Sequence, residues 1–449
     1  MKEVVFNKKI SSVHFIGVGG ISTSALASYL LSKGFIVSGS DNVKSNLTES
    51  LKRSGAKIYY GHKENNVLGA DAIIYTSAVL ADNPELIKAQ KEGIPCFKRS
   101  ELLGEIASKF NRSIAVSGSH GKTTATGMIS DVLIKAKIDP TVFIGGEHSE
   151  FNNCRLGGGD TVVLEACEYK KNFLDLKPTV SVILNVDNDH MDSYKDEKDM
   201  VAAFGQFAKD SITLVNADDI NASKIFNSTT VTFGVQNKAT YTAKRVKFNG
   251  KGYSFTAYAY GRVLGRINLN VSGVHNVYNA IAAVAVADIL GVRFSFIKSG
   301  LENFCGIKRR NEYLGDKDGL KVYADYAHHP KEILAMLNSY REQGENFITV
   351  FQPHTYSRTR ILMEDFLSVL KDVSPLIIYK TYSAREKFDV RGDAKTLYER
   401  LKEVSTGKVY YIKTIKELSL AIEKEKTGKD RIIFLGAGDI YQIAKGQIN

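Results

Sequence analysis

The chain has 449 residues, of which 43% are hydrophobic, and a formal net charge of +11. This length predicts about three domains, and the composition is that of a globular protein rather than a disordered one. The most apolar stretch, residues 280–290, is too short to cross a bilayer and contains Asp288, so we predict no membrane insertion. The first nine residues are charged and lead into a strand, which is not the pattern of a signal peptide.

The positive charge is spread along the chain, and no helix-turn-helix, zinc-finger or RNA-binding signature accompanies it. The charge therefore favours polyanionic small molecules as partners and argues against nucleic acid. Four cysteines lie far apart, without the spacing of metal ligands. This indicates reduced thiols in a cytoplasmic protein.

Residues 1–110 alternate between predicted strands and helices. Apolar runs predict strands at residues 13–18, 35–39 and 72–75, and a helical pattern covers residues 21–33. Such alternation is typical of a parallel, Rossmann-like sheet, which binds ligands at the carboxyl ends of its strands. The residues that fall at those ends, and that we predict to form a ligand site, are Gly19, Gly20, Asp41 and Ser77.

The first of these strands ends in the string G-V-G-G, which matches part of a dinucleotide fingerprint. The third glycine of that fingerprint would be residue 22, which is a serine, and this counts against an NAD site. The loop can still hold a diphosphate through its backbone N–H groups and the dipole of the following helix. A plain tight turn, with Asp41 as a helix cap, is the alternative.

Residues 114–124 read I-A-V-S-G-S-H-G-K-T-T, an apolar run followed by a glycine-rich loop. We predict a strand, a phosphate-binding loop and a helix that begins near Thr123. Lys122 would contact the outer phosphates of a nucleotide, and the hydroxyl of Thr123 would bind Mg²⁺. The predicted phosphate-binding residues are Gly118, Ser119, His120, Gly121, Lys122, Thr123 and Thr124. An ordinary glycine-rich turn with a surface lysine is the alternative.

Two acidic strings follow further predicted strands, at residues 162–164 and 180–185. L-E-A-C-E places Glu165 at a strand end, where a carboxylate can bind the Mg²⁺ of a nucleotide. We prefer Glu165 to Glu168 because it lies nearer the strand end. N-V-D-N-D-H-M-D supplies His190, an acceptable ligand for Mg²⁺ or Mn²⁺. A surface acidic pair and a polar capping loop are the respective alternatives.

Residues 229–270 have a short alternating pattern rich in Tyr, Phe and Val, which predicts antiparallel β-structure. A helix is predicted over residues 276–290, with Asn276 at its start and Asn279 one turn later. Asn276 can be a helix cap. Two amides at one helix start can also read the edge of an adenine ring, and the local sequence favours neither interpretation.

Residues 311–449 return to strand–helix alternation, with strands predicted at 320–325, 347–351, 376–379 and 432–435. The string D-Y-A-H-H-P follows the first strand, and Q-P-H-T-Y-S-R-T-R follows the second. Basic side chains at these ends can bind a carboxylate, which Arg does bidentately, whereas solvated loops are the alternative. The histidines of the chain concentrate in the strings described here, which predicts one polar cleft built from several segments.

Eleven strings occur together in one order along the chain. They are G-V-G-G-I-S, S-G-S-D, T-S-A, G-S-H-G-K-T-T, E-A-C-E, N-V-D-N-D-H-M-D, G-V-H-N-V-Y-N-A, R-R-N-E-Y-L-G, D-Y-A-H-H-P, F-Q-P-H-T-Y-S-R-T and G-A-G-D-I. On these strings the chain resembles the Mur ligases of bacterial cell-wall synthesis over essentially its whole length. It is most similar to the members that add alanine.

The resemblance implies an α/β protein of three domains. Residues 1–110 would be a Rossmann-like domain that binds a UDP-substrate, and residues 111–310 a central P-loop-type ATP-binding domain with some antiparallel β-structure. Residues 311–449 would be a Rossmann-like domain that binds the incoming amino acid. The implied state is a monomer or a weak homodimer in the cytoplasm.

The resemblance also implies an activity. It is the ATP-dependent ligation of L-alanine to the lactyl carboxylate of UDP-N-acetylmuramate through an acyl phosphate, the first peptide-stem step of peptidoglycan synthesis. The implied cofactors are ATP and Mg²⁺, with Mn²⁺ as a substitute for Mg²⁺.

Carried over residue by residue, the resemblance gives each candidate a role. Thr123, Glu165 and His190 would hold metal. Nucleotide contacts would come from the phosphate loop and from Asn276, Asn279 and Asp325. Contacts to the incoming amino acid would come from Tyr326, His354 and Arg358. The UDP-substrate would meet Gly19, Gly20, Asp41, Ser77, Arg309 and Arg310. The implied catalytic set is Lys122, His190, His354 and Arg358, with His354 as the candidate base for the amine.

The chain departs from the family pattern at some positions. Thr355 stands where some members have Arg, so Arg358 or Arg360 would have to supply the missing carboxylate partner. Other members carbamylate a lysine, for which Lys209 is the nearest candidate, although alanine-adding members generally lack it. The string P-H-T-Y-S-R-T differs from that of the murein-recycling tripeptide ligase.

Two other classes of function compete with a ligase. A non-catalytic UDP-sugar-binding protein is opposed by the full set of phosphate and metal positions. An NAD-dependent dehydrogenase is opposed by Ser22 and by the second nucleotide loop.

Overall fold

The computed structural model describes residues 4–6, 8–187, 193–384 and 386–448. The chain divides into two compact units, Met1–Val271 with Asn276–Cys305, and Ser272–His275 with Gly306–Asn449. The first unit holds a five-stranded and a ten-stranded sheet, and the second holds a six-stranded sheet. Within the described ranges, no helix is both long and apolar enough to cross a membrane.

The five-stranded sheet and its helices form the N-terminal part of the first unit. The elements are β1 (Val4–Val5), β2 (Lys8–Lys9), β3 (Ser12–Ile16), α1 (Ile21–Ser32), β4 (Ile36–Asp41), α2 (Asn46–Arg53), β5 (Lys57–Tyr60), β6 (Ala72–Tyr75), α3 (Pro84–Lys91), β7 (Cys96–Lys98) and α4 (Arg99–Ala107). The sheet is wholly parallel, in the order β5-β4-β3-β6-β7, and β1 pairs separately with β2. The central strand β3 is buried on both faces, as its continuous apolar run predicts.

The ten-stranded sheet follows in the chain. Its elements are β8 (Arg112–Ser117), α5 (Lys122–Lys135), β9 (Thr141–His148), β10 (Asn152–Arg155), β11 (Thr161–Glu165), β12 (Val180–Ile183), α6 (Glu197–Ala208), β13 (Ile212–Asn216), β14 (Thr230–Gly234), β15 (Tyr241–Phe248), β16 (Tyr253–Ala259), β17 (Arg262–Asn268), α7 (His275–Ile289) and α8 (Phe294–Asn303). The strand order is β10-β9-β11-β8-β12-β13-β14-β15-β16-β17.

The prediction of antiparallel structure over residues 229–270 is correct for three strands and wrong for one. Strands β15, β16 and β17 are antiparallel to one another. Strand β14 instead pairs in parallel with both β13 and β15. An alternating pattern identifies a half-buried strand but carries no information about the direction of its neighbour, so sequence alone could not separate the two cases.

The second unit contains one sheet of six strands. Its elements are β18 (Glu312–Lys317), β19 (Leu320–Asp325), α9 (Pro330–Arg341), β20 (Phe347–Phe351), α10 (Tyr356–Ile361), α11 (Met363–Leu370), β21 (Leu376–Tyr379), α12 (Ala394–Val404), β22 (Val409–Ile412), α13 (Ile415–Glu425), β23 (Arg431–Leu435) and α14 (Ile440–Ile448). The order is β18-β19-β23-β20-β21-β22, and all pairs are parallel except the edge strand β18 with β19. The predicted α/β class is confirmed, with parallel sheets in the first and last parts of the chain and a mixed sheet between them.

Helix α5 is buried along most of its length, which fixes the loop that precedes it. Ala125, Met128, Ile129 and Val132 have no exposed surface. On one side α8 approaches so closely that a Cβ on Gly300 would lie 2.6 Å from the Cα of Val132. A helix packed this closely places its N-terminal residues in one position.

Candidate functional site

The glycine-rich loop runs from the end of β8 to the start of α5, as predicted. Gly118 and Gly121 have φ values of +140° and +85°, which residues with a Cβ rarely adopt. Lys122 is the first residue of α5, and Thr123 and Thr124 lie in its first turn. Because the first N–H groups of a helix have no partner within it, this helix start can bind an anion at the carboxyl edge of the sheet.

The ammonium group of Lys122 lies against its own loop. It donates to the carbonyl oxygens of Gly118 at 2.5 Å and Ser119 at 3.2 Å, and to Oε1 of Glu168 at 2.9 Å. Burial works against the charged ammonium, but Glu168, which is only 2% exposed, outweighs it and the pKa of Lys122 is raised. Lys122 is therefore charged at neutral pH.

Glu165 ends β11 beside the first turn of α5. Its Oε2 accepts from the hydroxyl of Thr123 at 3.2 Å, and its Oε1 accepts from the backbone N–H of Gly145 at 2.5 Å. Two of the three predicted metal-binding residues are thus in direct contact. The third, His190, lies outside the described residues.

The Thr123–Glu165 pair fits a magnesium ion in its chemistry. The hydroxyl and the carboxylate are both hard oxygen donors, which Mg²⁺ prefers, and Mg²⁺ in proteins keeps several waters beside one or two carboxylates. In the described part of the chain, no group of three or more His, Cys, Asp or Glu side chains is gathered as a metal cluster. A magnesium ion held by these two residues would need further ligands from water, from a nucleotide or from other residues.

The loop after β12 is fastened to the phosphate loop. The side chain of Asn185 accepts from the backbone N–H of His120 at 2.8 Å and donates to the carbonyl of the same residue at 3.0 Å. The hydroxyl of Ser119 accepts from the N–H of Asp187 at 2.9 Å. The imidazole of His120 lies 3.4 Å from the carboxylate of Asp187. These bonds hold residues 185–187 against the phosphate loop.

Asn276 and Asn279 lie in the first turns of α7, and both are buried. The side-chain amide of Asn279 donates to Oδ1 of Asn276 at 3.0 Å. A Cβ on Gly121 would lie 2.8 Å from Oδ1 of Asn279. The structure thus brings Asn279 against the start of α5, so the two asparagines border the phosphate loop.

The first glycine loop is fastened to the end of β4. The backbone N–H groups of Gly17 and Val18 both donate to the carbonyl of Ser40, at 2.9 and 3.0 Å. The N–H of Gly19 donates to Oδ2 of Asp41 at 2.9 Å. Asp41 therefore supports the loop and is not the helix cap of the alternative interpretation. A Cβ on Gly19 would lie 2.8 Å from the same carboxylate oxygen, so a larger residue here would displace the side chain of Asp41.

Gly20 and Ser77, the other two residues predicted to form this ligand site, are also at the carboxyl edge of the five-stranded sheet. Gly20 precedes α1 as its N-cap residue. Ser77 follows β6, and its backbone carbonyl accepts from the ammonium of Lys170 at 3.1 Å. Lys170 belongs to the segment that follows β11, so one side chain connects this segment to the Ser77 turn.

A buried carboxylate lies beneath the first glycine loop. Glu85 has no exposed surface, accepts from the hydroxyl of Ser40 at 2.6 Å and from the amide of Asn66 at 2.6 Å, and lies 3.0 Å from Nδ1 of His62. Burial alone would raise the pKa of Glu85, but these hydrogen bonds and the nearby His14 outweigh it and hold the pKa at about 2. Since Ser40 anchors the loop, Glu85 supports the loop from below.

In the second unit, Arg309 and Arg310 lie against Tyr326, with guanidinium carbons 4.7 and 5.2 Å from the ring centre. Arg309 also donates to the carbonyl of Gly438 at 3.0 Å. The carboxylate of Asp325 accepts the backbone N–H groups of Asn311 at 2.6 Å and Ala327 at 2.7 Å. Burial raises the pKa of Asp325 to about 6, against the opposing charge of Arg310.

His354 follows β20 and lies within a group of aromatic rings. Its ring stacks on Tyr382 with centres 5.6 Å apart, and it meets the ring of His328 edge-on at 5.6 Å. Nδ1 of His354 lies 3.3 Å from Nη1 of Arg358. Burial lowers the pKa of His354 to about 4, and Arg358 lowers it further, so the imidazole is neutral at pH 7. Tyr326, His354 and Arg358 are thus connected through His328, whose ring lies 5.2 Å from Tyr326.

Sequence reasoning missed two residues of this site. The sequence favours Glu165 over Glu168 and offers a surface acidic pair as the alternative, whereas Glu168 is buried and pairs with Lys122. The sequence predicts no role for Asn185, whereas its side chain bonds to the backbone of the phosphate loop at His120. The position of Glu168, three residues beyond the strand end, was the signal in the sequence for its role. No local pattern predicts the two hydrogen bonds between Asn185 and His120.

A phosphate loop at a sheet edge, a carboxylate–hydroxyl pair beside it and three α/β domains define a nucleotide-dependent enzyme. Three family models match the chain: "Mur ligase family, catalytic domain" over residues 12–111, "Mur ligase middle domain" over 116–287, and "Mur ligase, glutamate ligase domain" over 309–438. The chain therefore belongs to the Mur ligase family.

Curated relatives and solved structures agree with the family models. The UDP-N-acetylmuramate–L-alanine ligase of Acetivibrio thermocellus is 43% identical, over 97% of this chain and 95% of that protein. The protein of the same name from Aquifex aeolicus is 42% identical, over 97% of each chain. The crystal structure of UDP-N-acetylmuramate-alanine ligase MurC from Thermotoga maritima is 30% identical, covers 97% of this chain and 98% of its own, and superposes with a TM-score of 0.83.

A murein peptide ligase from Psychrobacter arcticus has the same fold, with 21% identity, coverage of 97% of this chain and 98% of its own, and a TM-score of 0.72. The lower score and identity place this chain nearer the alanine-adding relatives in fold and in sequence.

Proposed function

We propose that this chain catalyses the ATP-dependent ligation of L-alanine to the lactyl carboxylate of UDP-N-acetylmuramate, forming ADP, the first peptide-stem step of peptidoglycan synthesis in the cytoplasm. The observation that carries the proposal is the contact between Thr123 and Glu165 at the head of α5, next to the charged Lys122. The names of relatives that match nearly the full chain support the substrates.

The three substrates are assigned to three domains. We assign the UDP-substrate to residues 1–110, ATP to residues 111–310 and the amino acid to residues 311–449. The boundaries of the three family models support this division. Gly19, Gly20, Asp41 and Ser77, at one sheet edge, are assigned to the UDP-substrate. Arg309 and Arg310 are proposed as further contacts to it.

In the first step, a lactyl carboxylate oxygen attacks the γ-phosphorus of ATP, the bond to the β–γ bridging oxygen breaks, and ADP leaves. Lys122 contacts the outer phosphates and offsets their charge, which is where phosphoryl transfer gains most of its acceleration. Asn276 and Asn279 hold the adenine side of the nucleotide. The two hydrogen bonds between the side chain of Asn185 and the backbone of His120 hold the phosphate loop in one conformation.

Thr123, Glu165 and His190 are the residues that would hold Mg²⁺, with Mn²⁺ as a substitute. A divalent ion bound there supplies positive charge against the phosphoryl oxygens. The oxygen donors of Thr123 and Glu165 support this assignment.

In the second step, the α-amine of L-alanine attacks the acyl carbon and inorganic phosphate leaves. Tyr326, His354 and Arg358 are proposed to bind the amino acid, with Arg358 opposite its carboxylate. The imidazole of His354 is neutral at pH 7, and Arg358, which can only donate, lies at its Nδ1, so the ring proton is on Nε2 and Nδ1 is the acceptor. As the base, His354 would take the hydrogen of the amine at Nδ1, once Arg358 has turned to the carboxylate of the amino acid.

The proposal is tested by phosphate release from ATP with Mg²⁺ and UDP-N-acetylmuramate, with and without L-alanine, glycine or L-serine, and with the product masses recorded. Release that requires both acceptors, with the mass of the alanyl adduct, is the expected result. Tight binding of the UDP-substrate without release under any of these conditions would contradict the proposal and favour a binding protein.

Arg358→Met is expected to raise the KM for L-alanine by about 10- to 100-fold, since a charge-assisted hydrogen bond contributes about 1.5–3 kcal/mol. The KM for ATP should change less than about twofold, because Arg358 lies beside His354 and both are assigned to the amino acid rather than to the nucleotide. Steady-state kinetics with each substrate varied in turn measures both.

The matched control for this variant is Arg360→Met on the same helix. Arg360 pairs with Asp389 at 2.8 Å on an exposed surface. Kinetics close to those of the unmodified protein are expected. A loss at Arg360 with none at Arg358 would move the carboxylate partner to Arg360.

A further inference from the structure

Arg99 lies beside the start of the helix that follows the first glycine loop. It is the first residue of α4, and its Nη1 donates to the hydroxyl of Ser22 at 2.8 Å. Ser22 is in the first turn of α1, two residues after Gly20. The same turn is held from the ten-stranded sheet by Asn153, which donates to the carbonyl of Ile21 at 2.5 Å. The position of the guanidinium relative to the loop is therefore fixed from two sides.

The start of α4 also touches the segment that follows β11. The hydroxyl of Ser100 donates to Oδ1 of Asn172 at 3.3 Å. A Cβ on Gly104 would lie 2.1 Å from the carbonyl oxygen of Asp175, so the helix rests directly on that segment. Burial lowers the pKa of Arg99, against the opposing charges of Cys167, Glu165 and Asp175. The guanidinium therefore lies within electrostatic range of Glu165, at the end of β11.

Arg99 has few partners for a half-buried cation. A guanidinium carries five N–H donors. In the described part of the chain, its one hydrogen bond to a side chain is the bond to Ser22, and no carboxylate lies within ion-pair distance of it. Removing a charge from water without a paired anion is costly, and such positions are retained where an anion binds.

The connections of Arg99 to both loops indicate which anion it meets. Its partner Ser22 follows the first glycine loop in the chain, and the charge of Glu165, which accepts from Thr123, acts on its guanidinium. The proposed substrate has its diphosphate at the first glycine loop and its reacting group at the γ-phosphate of ATP. The reacting group therefore lies between the first glycine loop and the phosphate loop. That group is a carboxylate, which a guanidinium binds through two parallel hydrogen bonds.

We propose that Arg99 is a catalytic residue that binds the lactyl carboxylate of the UDP-substrate and directs it at the γ-phosphorus, an inference that rests on the proposed function. The cation offsets the repulsion between the carboxylate and the γ-phosphoryl oxygens as they approach. Arg99 transfers no proton. Its hydrogen bonds pass to the carbonyl oxygen of the acyl phosphate as the new bond to phosphorus forms and the bond to ADP breaks.

The test compares two ligands that differ in the lactyl group alone. The dissociation constants of UDP-N-acetylmuramate and UDP-N-acetylglucosamine are measured by calorimetry, without ATP, on the unmodified protein and on Arg99→Met. For the variant, the constant for the lactyl sugar should rise at least about 10-fold, whereas that for UDP-N-acetylglucosamine should change less than about twofold. The preference for the lactyl sugar should thus be lost.

Two further variants separate contact with substrate from structural support. Ser22→Ala removes the partner of Arg99 but leaves the guanidinium, and it should keep the preference for the lactyl sugar. Arg99→Lys keeps the charge but not the bidentate geometry, and it should recover part of the preference. If Arg99→Met weakens both ligands equally, or keeps the full preference, the inference about Arg99 is overturned and the proposed function stands. If the unmodified protein itself shows no preference, the proposed substrate is overturned together with the inference.

Discussion

Lys122→Ala is expected to reduce ATP turnover by at least about 1,000-fold, because the variant lacks the one loop side chain placed to offset charge on the transferred phosphoryl group. Binding of UDP-N-acetylmuramate should be retained, since Lys122 contacts Gly118, Ser119 and Glu168 and not the first glycine loop. Phosphate release and calorimetric binding of the UDP-sugar measure the two effects. Activity near that of the unmodified protein would refute the role given to Lys122.

The same substitution has a cost in stability that must be separated from the loss of activity. It leaves Glu168 buried without its partner, and breaking a buried ion pair in this way costs about 3–5 kcal/mol. The double variant Lys122→Met, Glu168→Gln removes both charges and should recover much of the free energy of unfolding without recovering turnover. If the double variant regained turnover, the effect of Lys122→Ala would be one of folding alone.

Glu85→Gln is expected to lower the free energy of unfolding by about 2–3 kcal/mol at pH 7, given a pKa near 2 in a fully buried carboxylate. The folded-state pKa lies below the ordinary value, so the stabilisation is fully present above about pH 4.5 and is lost as the pH falls toward 2. The difference between variant and unmodified protein should therefore shrink through this window. Urea unfolding at a series of pH values measures it.

Glu92→Gln on the same side of the first sheet is the matched control for Glu85→Gln. Glu92 forms an exposed pair with Lys88 at 2.9 Å, and such pairs contribute less than about 1 kcal/mol. Its removal should leave the unfolding free energy nearly unchanged at every pH. Because Glu85 reaches the first glycine loop through Ser40, Glu85→Gln should also raise the KM for the UDP-substrate and spare that for ATP. An unfolding curve for Glu85→Gln that matches the control at pH 7 would contradict this account.

The strands were predictable wherever burial on both faces leaves a continuous apolar run. Strands β6, β19, β20 and β21 match their predicted bounds, and the helix at the phosphate loop begins one residue from its predicted start. The edge strand β18 was not predicted, because Glu312, Gly315 and Asp316 interrupt its apolar run. The edge strand β22 was not predicted either, although its sequence is an unbroken run as long as that of β21.

The site was predictable where a short string carries the chemistry, as with Lys122, Thr123 and Glu165. It was not predictable where the partner comes from a distant strand. The clasp between Asn185 and His120 joins residues 65 positions apart, and the bond between Arg99 and Ser22 joins residues 77 apart. No pattern along the chain marks such pairs, since only the packing of the sheets brings them together.

The contact of Lys122 with its own loop has a consequence for how a nucleotide enters. The ammonium already has two carbonyl oxygens and one carboxylate as partners, so its positive charge is balanced within the protein. Under the proposed function, binding of a triphosphate is an exchange, in which phosphate oxygens replace carbonyl oxygens as hydrogen-bond partners of the Lys122 ammonium. The affinity for the nucleotide then gains only the difference in free energy between hydrogen bonds to phosphate oxygens and hydrogen bonds to carbonyl oxygens. Glu168 remains a partner of Lys122 throughout and keeps its ammonium directed at the phosphates.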